Sequence, residues 1–145
     1  MKYKNIKSVA HNLGHSFLSD MNAVGSGGRY VIVPELLFRA AERGHVPQVR
    51  VDLLRGAVEP PSVALPEVQE AVGYSVSRLP ELLTSQNVAP SAVTGATLTI
   101  EFDYSRRRQA QYRPEAAIPE FACVVELTDD RGQVHRGRPN NWWYS

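Results

Sequence analysis

The sequence predicts an α+β fold in which N-terminal helices pack against a mainly antiparallel sheet. Apolar residues recur at steps of three and four residues in much of the first half of the chain, which is typical of helices. In the last third they alternate with polar residues, which is typical of strands. The late strands follow one another with turns between them, and this favours antiparallel pairing. We therefore expect the element order α-α-β-α-β-β-β.

The first two helices are predicted from apolar periodicity and from the residues that begin and end them. The first covers residues 5–22, and the glycine-rich residues 25–28 follow it as a turn. Its apolar face contains Ile6, Val9, Ala10, Leu13, Phe17 and Met21. The second covers residues 34–43, because Pro34 suits a first helical position and Gly44 suits the position just past the end.

The third predicted helix begins at Pro66 and keeps its apolar spacing through residue 83. Pro80 lies inside it, lacks an N–H group and crowds the carbonyl group of the preceding turn. We therefore expect this helix to be kinked or split near Pro80. The flanking residues 56–66 and 85–95 are predicted to be loops.

Alternation of apolar and polar residues predicts strands at Gln48–Leu54, Thr97–Tyr104 and Pro119–Thr128, and the turn that follows predicts a partner strand at Gln133–Gly137. Side chains of successive strand residues point to opposite faces, so one face of the sheet should be buried and the other polar. Cys123 falls on the buried face.

Residues 129–132 are predicted to form the turn of the last hairpin, with Gly132 in a conformation of positive φ. A connection of four residues sets Leu127 opposite Val134 and Glu126 opposite His135. This register predicts a contact between the Glu126 and His135 side chains across the two strands.

Composition limits the class of protein. The chain has 145 residues, a formal net charge of +1, 43% hydrophobic residues and one cysteine. These values exclude general disorder and a disulfide scaffold, and they predict a single domain over residues 1–145, with residues 138–145 as a candidate C-terminal tail. No apolar run is long enough to span a membrane, and no apolar stretch follows the basic N-terminus. We therefore expect a cytoplasmic protein that does not enter a membrane.

The first helix carries an unusual polar face, which we call the helix-one face. Its members are short or flat polar residues with no charge at the centre: Ser8, His11, Asn12, His15, Ser19 and Asn22. A helix face in water normally carries long charged side chains, so this composition predicts that something covers it. We interpret it as an interface with a second copy of the chain. The alternatives are another part of the chain, a ligand or a protein partner. Protonation of the histidines should then weaken the dimer.

His11 and His15 also allow a metal site, because residues four positions apart lie on the same side of a helix. A zinc ion there needs a third protein ligand, such as His45, His135 or a carboxylate. Asn12 follows the first histidine, so the glutamate base of an H-E-x-x-H metalloprotease is missing. Hydrogen bonding within a polar contact between helices is the other interpretation.

Two basic segments, residues 104–118 and 131–145, each carry a net charge of +3. The residues that could contact an anion or nucleic acid are Arg106, Arg107, Arg108, Tyr112, Arg113, Arg136, Arg138, Trp142 and Trp143. If the sheet brings the segments together, arginines can neutralise phosphates and aromatic rings can stack on bases. The alternative is an Arg-rich solvated loop that pairs with nearby acids, and tryptophans that cover the core.

Nucleophilic catalysis has little support in the sequence. Cys123 is expected to face the core, and the glycines at residues 25–28 lack the lysine of a phosphate-binding P-loop. The sequence therefore predicts a small binding or interaction protein without a catalytic centre or cofactor, which self-associates through the helix-one face. A metal-dependent enzyme that uses His11 and His15 is the first alternative, and a nucleic-acid-binding module that uses the Arg-rich loop with Arg106, Arg107 and Arg108 is the second.

Overall fold

Five strands form the sheet in the part of the chain that the structure describes. They are β1 (Gln48–Asp52), β2 (Val58–Glu59), β3 (Val93–Gln109), β4 (Ala117–Asp129) and β5 (Val134–Gly137). All neighbouring strands are antiparallel, and their spatial order is β2-β1-β3-β4-β5. The computed structural model describes residues 6–13, 34–109 and 117–137.

Three helices accompany the sheet within the described residues. Residues 6–13 are the described part of α1, α2 spans Pro34–Arg43, and α3 spans Pro66–Ser85. α3 continues through Pro80 as one bent helix, so the predicted kink is confirmed and a split into two helices does not occur. The predicted α+β class and element order are confirmed, with the short strand β2 as an addition.

Alternation along the strands separates a buried face of the sheet from an open face. The buried face consists of Val49, Val51, Leu53, Val58, Ala96, Leu98, Ile100, Phe102, Phe121, Cys123, Val125 and Leu127. These side chains belong to one apolar cluster with helix residues that include Ile6 and Leu13 of α1, Leu37 of α2, and Val72 and Leu83 of α3. The predicted inward faces of β1, β3 and β4 are therefore confirmed.

α1 lies across β5 at Gly137. A Cβ atom at this position would lie 2.5 Å from the carbonyl oxygen of Ala10 and would overlap the backbone nitrogen of His11. Only glycine lets the two backbones approach this closely. The apolar face predicted for the first helix is buried at each of its four described positions, whereas Phe17 and Met21 lie outside the described residues.

α2 and α3 each end with a residue other than glycine in the left-handed conformation. His45 has a φ of 53° after α2, and Asn87 has a φ of 64° after α3. After α2, the amide of Val46 donates to the carbonyl of Ala41 (2.9 Å) and the amide of His45 donates to the carbonyl of Glu42 (3.0 Å). This is the Schellman pattern, which satisfies the last carbonyl groups of a helix.

The register of the last hairpin differs from the prediction by one residue. Glu126 lies opposite Arg136, and His135 lies on the buried face of the sheet, so the predicted contact between Glu126 and His135 is wrong. The connection has three residues rather than four, because Asp129 remains in the ladder and its amide donates to the carbonyl of Gln133 (2.9 Å). A turn of three residues shifts every pair of the hairpin by one position.

Two predicted loops contain regular structure. Residues 56–66 include β2 and a 3₁₀ turn at Pro61–Val63. Residues 85–95 include a 3₁₀ turn at Pro90–Ala92 and the start of β3. Both turns begin at a proline, whose fixed φ suits the first position of a helical turn.

β3 and β4 continue beyond β1 as a two-stranded ribbon. The ladder runs through Asp103 and Glu120, is interrupted by a bulge at residues 104–106, and resumes where Arg107 lies opposite Pro119. The Arg-rich segment 106–108 is therefore part of a strand, and its assignment to a loop was wrong.

Candidate interaction surfaces

The centre of the open face is uncharged. Thr97 and Thr99 of β3 and Ala122 and Val124 of β4 point outward there, and each is half-buried. Thr99 lies opposite Val124, so the four side chains form one continuous patch. Depletion of charge at the centre of a surface patch is a feature of protein interfaces.

Charged residues surround this uncharged patch, and carboxylates predominate among them. The carboxylates at outward positions are Asp52, Glu59, Glu101, Asp103, Glu120 and Glu126, of which Glu120 is buried, and the guanidinium groups beside them are those of Arg50, Arg55, Arg106 and Arg136. Three pairs are close: Arg136 Nε lies 2.8 Å from Glu126 Oε2, Arg55 Nη1 lies 3.2 Å from Asp52 Oδ2, and Arg106 Nε lies 3.2 Å from Glu120 Oε2. Glu59 and Glu101 are exposed, and within the described ranges no cation lies within ion-pair distance of either. The open face is therefore an acidic surface.

A shallow groove lies at the β2 edge of the open face. Its volume is about 360 Å³, and it is lined by Gln48, Arg50, Glu59, Pro60 and Pro61. The groove combines two apolar proline rings with one carboxylate and one guanidinium group, so it offers both apolar and charged contacts to a bound chain.

The helix-one face is exposed at each position that the structure describes. Ser8, His11 and Asn12 point away from the core. Asn12 Nδ2 donates to Gln86 Oε1 at the end of α3 (2.9 Å), so one member of the face contacts the same chain. The other predicted members, His15, Ser19 and Asn22, lie outside the described residues.

A second cluster lies where the last turn of α2 meets the start of the β3–β4 ribbon. We call it the basic end and define it by Arg39, Arg43, His45, Tyr104 and Arg107. Two of its guanidinium groups share one carboxylate, since Glu42 lies 2.5 Å from Arg107 and 3.6 Å from Arg39. The cluster therefore keeps a positive charge.

Aromatic rings form the other half of the basic end. The imidazole of His45 stacks on the phenol ring of Tyr104, with centroids 4.6 Å apart. The Tyr104 hydroxyl donates to the carbonyl of Val46 (2.6 Å), which fixes the ring. Burial raises the pKa of Tyr104, and the Glu42 carboxylate raises it further. The residues of α2 in this cluster are separated from Tyr104 and Arg107 by more than 60 positions, so sequence reasoning missed their association.

The two predicted basic segments are not neighbours in their described parts. Arg107 lies opposite Pro119 of β4, whereas Arg136 lies opposite Glu126. At 3.4 Å per residue these positions are about 24 Å apart along β4. Tyr112, Arg113, Arg138, Trp142 and Trp143 lie outside the described residues, and Arg108 lies opposite Ile118 of β4.

Asp129 is a buried carboxylate that organises the last hairpin. Its Oδ1 accepts the amides of Arg131 and Gln133 (2.9 Å each), and its Oδ2 lies 2.9 Å from Nε2 of His135. The hydrogen bond from His135 and the two backbone amides lower the pKa of Asp129 below its usual value of 3.8. The pair consists of groups suited to acid–base chemistry, but the structure uses Asp129 to hold the turn.

Cys123 has no nucleophilic character in this environment. Its side chain is 2% exposed, and burial raises the pKa of its thiol to about 12. The thiolate is the reactive form, and it is scarce at neutral pH when the pKa is this high.

The described residues contain no group of three or more His, Cys, Asp or Glu side chains that could hold a metal ion. His11 is described and exposed, but its partner in the predicted zinc site, His15, is not described. Of the two histidines considered as a third ligand, His45 stacks on Tyr104 and His135 contacts Asp129. The metal site therefore remains a prediction.

None of the helices within the described ranges combines the length and the apolar character that crossing a membrane requires. No family model, curated protein or solved structure matches this chain.

Proposed function

We propose that this protein acts by binding a protein partner on the open face of its sheet. The observation that carries the proposal is the half-buried, uncharged patch of Thr97, Thr99, Ala122 and Val124 within a charged border. An uncharged centre and a polar border are the arrangement of a protein contact surface.

Binding is favoured over catalysis because three reactive groups are already engaged. The Cys123 thiol is buried and protonated, the Tyr104 hydroxyl donates to the carbonyl of Val46, and the Asp129 carboxylate accepts the amides of a turn. Acid–base or nucleophilic catalysis needs such a group within reach of a substrate. Each of these groups instead stabilises the fold.

The charge of the open face favours a basic partner. Six carboxylates against four guanidinium groups give it a negative charge, and this would repel a second copy of the same face. Glu59 and Glu101 offer carboxylates to an incoming cation. We propose that the partner presents an extended segment rich in lysine or arginine, which crosses the strands and contacts both residues.

A lysine peptide provides the test. Four spacings of about 4.8 Å separate the outer strands, and an extended peptide of six residues spans the resulting distance of about 20 Å. We expect hexalysine to shift the amide NMR signals of β1, β3 and β4, and we expect Glu59→Lys and Glu101→Lys to weaken its binding. Glu70→Lys is the matched control, because Glu70 is also exposed but lies on α3. Signal changes on the helices, or an equal loss of binding in the control, would contradict the proposal.

Self-association through the helix-one face is our second proposal. Ser8, His11 and Asn12 are exposed, and Lys7 is the only charged residue between positions 6 and 13, so two copies of this face do not repel each other at neutral pH. Sedimentation from pH 8 to pH 5 should show a dimer that dissociates as the histidines become protonated. His11→Glu should give a monomer at all pH values. A wild-type chain that stays monomeric at high concentration at pH 8 rules out this interface.

We also propose a cytoplasmic location, supported by the single cysteine, which suits a reducing compartment.

A zinc site at His11 and His15 is the alternative function for the helix-one face. Metal analysis of the purified protein distinguishes a dimer interface from a zinc site, since stoichiometric zinc would favour a metal-dependent enzyme.

A further inference from the structure

The basic end differs from the open face in charge and in chemistry. Arg39 and Arg43 lie one turn apart on α2, and Arg107 reaches the same Glu42 carboxylate from β3. The Glu42 carboxylate therefore faces the guanidinium groups of Arg39 and Arg107. The third guanidinium group belongs to Arg43, the next residue of the helix. An incoming anion would gain from the excess of positive charge and would compete with Glu42 for the guanidinium groups.

An exposed ring lies beside these cations. His45 is held in the left-handed conformation that ends α2, and this conformation sets its imidazole against Tyr104. Tyr104 is in turn anchored through its hydroxyl to the carbonyl of Val46 and packs beside Phe102, with ring centroids 5.9 Å apart. The stacked pair is therefore a rigid aromatic platform whose outer member is exposed.

We propose that the basic end binds single-stranded nucleic acid, with Arg39, Arg43 and Arg107 on the phosphates and a base stacked on His45. Arginine neutralises phosphate, and unpaired bases stack on aromatic side chains without regard to sequence. The combination distinguishes this ligand from other polyanions, because an acidic polypeptide or a lipid phosphate has no planar base for His45. The site is independent of the open face and of any protein bound there.

Oligothymidylate of about 16 nucleotides is a suitable probe, since this length covers the site of a small single-strand-binding domain. Fluorescence anisotropy at several salt concentrations gives the affinity and its salt slope. The double variant Arg39→Gln/Arg107→Gln should lower the slope by about 1.4, which corresponds to two phosphate contacts on a single strand. Arg55→Gln is the matched control, because Arg55 is an exposed, ion-paired arginine at the opposite end of the sheet.

Two further variants distinguish a role in nucleic-acid binding from a role in maintaining the fold. His45→Asn removes the ring but keeps a residue that tolerates positive φ, and it should weaken binding by about fivefold or more. Glu42→Gln removes the competing carboxylate and should strengthen binding. A residue that only maintained the fold would not increase affinity when it is replaced.

Several results would overturn the proposal. One is that the wild-type chain does not bind oligothymidylate at low salt. Another is that Arg55→Gln lowers the salt slope as much as the double variant does. A third is that polyglutamate binds as tightly as oligothymidylate. Tighter binding of a duplex of the same length would overturn the assignment to single strands. The substitutions at Arg39, Glu42, His45 and Arg107 leave Glu59 and Glu101 of the open face unchanged, so the two proposals can fail separately.

Discussion

Gly137 allows the most direct test of how α1 is held on the sheet. In Gly137→Ala, the new methyl group would lie 2.5 Å from the carbonyl oxygen of Ala10 and would overlap the backbone of His11. Non-bonded carbon atoms pack at roughly 3.5–4.0 Å, so α1 has to move away from β5 by about 1 Å. A helix backbone cannot rotate out of the way as a side chain can.

The expected cost follows from what α1 buries. Overpacking in a core typically costs about 1–3 kcal/mol, and full burial of a side chain such as Ile6 or Leu13 contributes about 1.5–3 kcal/mol. Ile6 is 0% exposed and Leu13 is 1% exposed, so a displaced helix loses part of both contributions. We expect Gly137→Ala to lower the free energy of unfolding by about 3 kcal/mol or more.

Urea denaturation followed by circular dichroism measures this change. The control is Gly73→Ala on α3, where an added Cβ meets no atom within 4 Å. This substitution should stabilise the protein by about 0.5–1 kcal/mol, because alanine is the better helix former. If Gly137→Ala has a free energy of unfolding within about 0.5 kcal/mol of the wild type, α1 does not lie against β5 as described.

The remaining predictions concern Asp129, Cys123 and Asn87. The pKa of Asp129 is lowered in the folded state, so its ionised form adds stability above pH 3.8 and this contribution is lost as the pH falls through the lower folded value. The difference in unfolding free energy between the wild type and Asp129→Asn should therefore shrink from pH 5 to pH 2, and a constant difference would contradict the role given to the carboxylate. Cys123 should react with a thiol reagent at pH 8 only as fast as the protein unfolds, because the thiol is buried and its pKa is about 12. Rapid labelling of the native protein would show that β4 is not packed as described. Asn87 has positive φ after α3, so Asn87→Ala should cost about 1 kcal/mol in a thermal denaturation while Asn87→Gly should not, and equal effects would contradict the left-handed assignment.

The sequence predicts the faces of the long elements because their burial is periodic. Phe121, Cys123, Val125 and Leu127 occupy every second position of β4, and all are at most 2% exposed. The bounds of α2 were also predictable, since a proline and a glycine flank it. In each case the signal is local and repeats along one element.

Features that depend on two distant segments could not be predicted in the same way. The register of the last hairpin changes with one residue of turn length, and whether Asp129 belongs to the turn depends on the hydrogen bonds of its side chain. Likewise, the pairing of Arg107 with Glu42 requires the fold to bring β3 beside α2. The sequence identified the arginines of the ribbon but not the arginines of α2 that lie with them.

Substitutions on the two faces of β3 and β4 should differ in their effect on stability. Thr99 and Val124 are half-buried on the open face, whereas their neighbours Leu98 and Val125 are at most 1% exposed beneath the helices. Replacing an inward residue removes packing in a dense core and costs several kcal/mol, typically about 2–5. Replacing an outward residue removes less buried surface, so the chain should stay folded while its contact surface changes. The layer of helices on the other face keeps the sheet intact when an outward residue is replaced. If Thr99→Lys abolishes binding of a partner without changing the denaturation midpoint, the loss of binding therefore reports on function.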